Sequence, residues 1–158
     1  MKFPQFRKNI IPRGEEGRLL KERFKNENVC KNCGQCCYQG FMVCGCYIMA
    51  PELPCKYLVR SDNGRQVCGI YEKRHELSWC NTVNVSTVRK GLFPADCVYV
   101  QGMINYHGKS LIPKEREERI RKALLRRLKF MSCPEYLRKE DWRRFIIGLS
   151  KNEKGKKG

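Results

Sequence analysis

A small irregular α+β fold, with a metal-stapled, cysteine-rich core of short strands and loops flanked by N-terminal and C-terminal helices, is what this chain of 158 residues predicts. Three observations predict it. Eleven residues are cysteine, far above ordinary usage. Residues 28–113 carry frequent Gly, Pro, Asn and Asp breakers between apolar runs too short for helices. Both flanks, by contrast, show helical periodicity. The length suits one compact domain with extensions, which buries only a modest core, so a metal site would help the chain fold.

Taken in order, residues 14–27 predict a short amphipathic helix with Leu19, Leu20 and Phe24 on its buried side, delivering the chain to Cys30. The middle offers apolar runs at Phe41 to Val43, Tyr57 to Val59, Val67 to Tyr71, Val83 to Val88 and Cys97 to Val100. Ser61-Asp62-Asn63-Gly64 is turn chemistry and predicts a small hairpin joining Tyr57-Leu58-Val59 to Gln66-Val67-Cys68. After Pro113, Ile120, Leu124 and Leu128 recur at i, i+4 and i+8 and predict a strong helix ending before Cys133-Pro134. Its acidic first turn and basic last turn suit the helix dipole. A shorter helix is expected around Pro134 to Gly148, with Trp142, Phe145 and Ile146 as its apolar side. The organisation is then a basic N-terminal extension (1–27), a cysteine-rich metal-binding domain (28–113), a helical segment packing on it (114–148) and a basic, disordered tail (149–158). No internal repeat of useful period is present.

Net charge is +17, and it is unevenly spread. Residues 28–113 hold 9 basic and 5 acidic groups, whereas the shorter stretch 114–144 holds 12 and 6. Several ionised thiols would make the middle neutral or negative, so the basic flanks are expected to pack near it, because cations stabilise thiolate. Such a chain is also drawn to polyanions, and the tail resembles arms that contact phosphate backbones. No RNP aromatic signature, GXXG loop or C2H2 spacing supports a specific nucleic-acid module. The charge permits nucleic acid without naming it.

The thiols carry the chemistry. Cys30, Cys33, Cys36 and Cys37 fall within eight positions as C-x2-C-x2-C-C. Thiolates packed so densely repel one another unless a cation or an oxidation state holds them, and the spacing is that of metal ligands. A C-x2-C turn points two sulfurs at one metal, and Gly34 is available for the left-handed conformation such a turn needs. Adjacent side chains of an extended segment diverge, so Cys36 and Cys37 are expected to serve two sites, or one to ligate while the other packs. Downstream stand Cys55, Cys68, Cys80 and Cys97, and four plus four suffices for two four-sulfur sites. Disulfides are the weaker explanation. The first thirteen residues show no apolar h-region or small-residue cleavage site, which predicts a reducing cytoplasm, and the cysteine count is odd. No apolar run approaches the roughly 18 residues of a membrane span.

Cys-Lys-Asn-Cys-Gly-Gln-Cys-Cys, followed by Pro-Cys-Lys-Tyr-Leu, Cys-Gly-Ile-Tyr-Glu-Lys-Arg and Cys80, resembles the CxxCxxCC cysteine-cluster proteins of the YkgJ type. These are described as zinc- or iron-chelating, or as containing iron–sulfur clusters. Phe-Pro-Ala-Asp-Cys-Val-Tyr is similar to an element of the YcgN-like branch. The resemblance spans about residues 28–106. It departs from the family at Arg74-His75, where Arg-Pro is common, and in the next cysteine, Cys80, which comes later than in most members. Cys44 and Cys46 stand outside the shared pattern and are secondary ligand candidates. What the resemblance implies is metal chelation in the cytoplasm without a defined reaction.

All-thiolate ligation suits zinc or an iron–sulfur cluster, and the three-cysteine run with its vicinal pair favours one or two clusters, of 4Fe-4S type. Tyr71 and Arg74, one turn apart, are candidates for supporting the site, Arg74 by stabilising thiolate charge and Tyr71 by shielding it. Trp79, beside Cys80, reads as core or a solvent shield. His75 and His107 lack ligand spacing. With no open coordination position or substrate pocket in view, no catalytic residue is assigned. Two functions compete: a redox, sensing or structural iron–sulfur protein acting with a protein partner or larger complex, and a zinc-stapled basic module docking on RNA, a ribosome or an acidic protein.

Overall fold

The computed structural model describes residues 9–31, 33–80 and 82–154, the side chains of 152–154 excepted. Residues 1–8 of the expected N-terminal extension and 155–158 of the expected tail lie outside the described residues. The fold is a small mixed α/β arrangement of short antiparallel strands and helices.

Helix α1 (Gly14–Lys25) forms where the sequence places it, with Glu15 and Glu16 in its first turn and Arg23 and Lys25 in its last. Leu20 and Phe24, four residues apart, share the buried stripe. Leu19 does not: it is 51% exposed, because one residue's rotation carries it off that stripe. A 3-10 turn at Glu27–Val29, capped by the Asn26 side chain, leads to Cys30.

A hairpin not read from the sequence follows. Strands β1 (Tyr38–Val43) and β2 (Cys46–Pro54) pair antiparallel, with Val43 opposite Cys46 and Phe41 opposite Ile48. The two-residue turn between them puts Cys44 at φ 50° and Gly45 at φ 75°, the doubly left-handed geometry that matches strand twist. Pro51 and Pro54 hide β2 in the sequence, since proline normally ends a ladder. The expected second hairpin is present as β3 (Leu58–Arg60) and β4 (Gln66–Cys68), with Leu58 opposite Cys68. Its turn is tied by the Ser61 amide to the Arg65 carbonyl and by the Arg65 amide to Asn63 Oδ1.

Helix α2 (Val85–Arg89) is one short turn-and-a-half held by a capping box between Asn84 and Thr87. After a 3-10 turn at Lys114–Arg116, α3 (Glu117–Leu128) buries Ile120, Leu124, Leu125 and Leu128. Helix α4 spans Lys139–Lys154, starting later and running further than the expected 134–148. Gly148 does not stop it, because Leu149 continues the stripe of Trp142 and Phe145 and is 1% exposed. Residues 149–154, expected in the tail, are therefore helical.

Two separate apolar cores result. One packs β1 and β2 against α3 and α4, with Phe41 stacked on Phe145 at 6.2 Å. The other gathers Ile11, Leu20, Phe24, Val88, Phe93, Tyr99 and Val100. Asn9 ties the second together from within: its side chain donates to the His107 carbonyl and accepts from the His107 amide, each at 2.7 Å. Among the described residues no helix is long and apolar enough to cross a membrane.

Candidate metal centre

All eleven cysteines are free thiols. Eight of them, Cys30, Cys33, Cys36, Cys37, Cys55, Cys68, Cys80 and Cys97, line one cavity of about 160 Å³. They are the eight primary candidates of the sequence, and each reaches the wall from its own local device. Cys30 follows the Glu27–Val29 turn. Gly34, at φ 77°, opens a 3-10 turn over Gln35–Cys37. A Cβ there would stand 2.6 Å from the Gln66 carbonyl oxygen, so glycine is required twice over, by conformation and by space. Cys55 is fixed by its amide, which donates to the Cys37 carbonyl at 2.7 Å. Cys68 ends β4, Cys80 follows the Tyr71–Glu76 3-10 helix, and Cys97 opens a turn accepting from the Val100 and Gln101 amides.

The vicinal pair behaves differently from the expectation. Cys36 and Cys37 lie on a 3-10 turn rather than an extended segment, and both face the same cavity. Their thiols hydrogen-bond each other. That bond, Cys37 donating, holds Cys36 down to about 6 although desolvation pushes the other way, and the Lys109 and Arg74 cations add to the lowering. Cys36 is exposed as a residue, but its sulfur is crowded enough for that desolvation to register. Cys37 is pushed far up, by the same bond first and then by burial. Burial also raises Cys55 and Cys80, and pushes Cys97 up to about 11.

The two cations that line the cavity among the described residues, Lys109 and Arg74, come from the cysteine-rich middle. Lys109, only 5% exposed, donates to the Tyr38 carbonyl and, at 3.4 Å, to the Gln35 carbonyl. Burial pulls its ammonium down to about 8 against the opposing pull of Cys36 and Cys37. Arg74 lies over the Tyr71 ring at 3.9 Å. Burial pushes Tyr71 up to about 12, helped by its hydrogen bond with Cys30. Both therefore line the cavity beside Cys30, as the sequence suggested. Trp79 lines it too, stacked on Tyr136 at 5.9 Å. Lys109 went unread because nothing in its local sequence distinguishes it.

Cys44 and Cys46 stand apart at the tip of the first hairpin, packed on the first core. There Arg116 donates to Cys46 Sγ at 2.8 Å and to the Cys44 carbonyl at 2.6 Å. The basic flank thus reaches this outlying pair through Arg116, and it reaches the eight thiols through Arg138, whose charge acts on Cys55 and whose guanidinium donates to the Lys56 carbonyl at 3.2 Å. Cys133 also lies away from the cavity, partly buried against the first core.

Among the described residues, no group of three or more His, Cys, Asp or Glu side chains is gathered tightly enough to hold a metal ion. The thiols ring the wall and do not converge on one point. The donor set nevertheless fits a soft metal or an iron–sulfur cluster: the described lining has eight thiols, two cations and a jacket of aromatic side chains, and no carboxylate or imidazole. A hard oxygen-seeking cation finds no carboxylate in such a wall.

No protein-family model matches the chain, and no solved structure does. It is similar to an uncharacterized protein of Methanocaldococcus jannaschii, 29% identical over 89 residues, which are 56% of this chain and 63% of that one. The chain thus spans less than two thirds of the length of that relative.

Proposed function

We propose that this chain is a cytoplasmic cysteine-cluster metalloprotein whose cavity thiols hold one or two iron–sulfur clusters, in a redox, sensing or structural role exercised with a protein partner. The observation that carries this reading is the meeting of eight cysteines, drawn from positions 30 to 97, around one cavity free of carboxylates. Cys30, Cys33, Cys36, Cys37, Cys55, Cys68, Cys80 and Cys97 would hold the group, which supplies one-electron chemistry or a covalent staple when bound. The chain's own residues supply the setting. Lys109 and Arg74 offset thiolate charge, while Tyr71, Tyr99 and Tyr136 restrict water.

Anaerobic purification tests it. The expected protein is brown, absorbs near ~400 nm as iron–sulfur thiolate ligation does, and carries iron and sulfide together. Cys36→Ser and Cys37→Ser should lose iron to a similar degree, since both thiols face the cavity. A colourless protein holding only zinc would sink the reading.

A zinc-stapled module docking on RNA or an acidic protein is the second reading. It is favoured by the exposed cations of α3 and α4, among them Lys122, Arg126, Arg143 and Arg144, and by Phe130, 83% exposed beneath the Lys129 ammonium. Nucleic-acid affinity falling steeply with salt is its signature.

A further inference from the structure

The Trp79 indole nitrogen is buried from solvent, and no carbonyl, hydroxyl or cysteine sulfur among the described residues accepts its proton. Buried N–H groups in native proteins are almost always paired, and an unpaired one is destabilising. Its ring is braced against Tyr136, and the space it adjoins is the thiol cavity. The protein surroundings provide Trp79 with no acceptor; an occupant of the cavity can.

Of the soft groups that eight thiols can take, a bare zinc ion brings no acceptor atom of its own. An iron–sulfur cluster brings inorganic sulfide, whose lone pairs accept hydrogen bonds. Lys109 points the same way. Its ammonium has three protons, and the two carbonyls it meets, of Tyr38 and Gln35, leave the third for the Cys36 and Cys37 side of the cavity.

We infer that Trp79 is a positioning and tuning residue whose indole N–H donates to a sulfide sulfur of the group held in this cavity. The inference rests on the iron–sulfur reading above. Such a bond favours the form carrying the extra negative charge, so Trp79 raises the reduction potential. Substituting phenylalanine removes the N–H and keeps an aromatic ring against Tyr136.

The full chain, loaded anaerobically with iron and sulfide and then reduced, is compared with Trp79→Phe by pulsed electron–nuclear double resonance in H2O and D2O and by potentiometric titration. The expected result is loss of one exchangeable proton coupling in the variant and a shift of its potential to more negative values. If the variant does not fold, the wild-type chain with 15N-labelled indole decides, since Trp142, the chain's second tryptophan, packs in the first core away from the cavity. A 15N coupling to the reduced cluster supports the inference. A chain that binds iron and sulfide but shows no 15N coupling, or a folded variant with unchanged couplings and potential, overturns the role of Trp79 and leaves the iron–sulfur reading standing. A chain that takes up no sulfide overturns both.

Discussion

Lys109 and Cys36 set the electrostatics of the cavity. A thiol near 6 in place of the ordinary ~8.5 is thiolate at neutral pH, and thiolate is the form that reacts and ligates. In reduced, metal-free protein, alkylation of Cys36 should rise through pH 6, while Cys97 stays protected until about pH 11, as peptide mapping by mass spectrometry would show. Lys109→Met should move the Cys36 midpoint upward; an unchanged midpoint would mean that the ammonium has no part in it. Because the folded value of Cys36 lies below the unfolded one, its contribution to stability is lost as pH falls through 6, while Cys37, pushed up by the same bond, opposes it above the ordinary thiol range of ~8.5. The eight thiols were legible because their spacing is local and their side-chain chemistry distinctive. Lys109 was not, because its importance comes from a placement under Tyr38 and Gln35 that lies some seventy residues away in the chain. For Cys36 and Cys37 the premise of divergence does not hold, because a single 3-10 turn replaces the extended backbone on which it depends.

At the level of elements, the turn over Gly34 shows how little backbone latitude the cluster loop has. Gly34→Ala demands a left-handed conformation of an L-residue and sets its Cβ against the Gln66 carbonyl. The conformational part alone costs about 1–2 kcal/mol. The variant should therefore melt several degrees lower and retain less metal; a melting point equal to that of the wild type would count against the tight approach of the Gln35–Cys37 turn to β4. The β3–β4 hairpin and α1, α3 and α4 were readable because turn chemistry and a 3.6-residue period are properties of adjacent residues. The β1–β2 hairpin was not. Its strand carries two prolines, its turn uses Cys44 where asparagine is usual, and a bulge between Tyr38 and Gly40 breaks the alternation. The end of α4 was misplaced because Gly148 resembles a stop signal, whereas Leu149 still has a core to enter.

At the scale of the molecule, the thiol cavity is lined by residues that belong to or pack on both apolar cores. Cys30 and Cys97 pack on the second core, while Tyr136, opposite, packs on the first. Backbone bonds also link their surroundings, among them those of Ser110 with Tyr47 and Met49 and of Lys109 with Phe93. A group bound by thiols from both sides would then add its binding energy to the cohesion of the whole. Calorimetry of loaded protein should show one transition and of chelated protein two, with Leu124→Ala, a loss of about 2–5 kcal/mol in a packed core, lowering only the transition of the first core. A single unchanged transition after chelation would mean that the cores cohere without the cavity's contents. The ring of thiols is also lopsided: Cys33 and Cys36 lie exposed at its rim, and Cys55 is buried at its back. An incoming oxidant, or a metal ion handed over by a carrier, should therefore meet Cys33 before Cys55, and the order in which the sulfurs are oxidised or loaded should run from the exposed thiols inward.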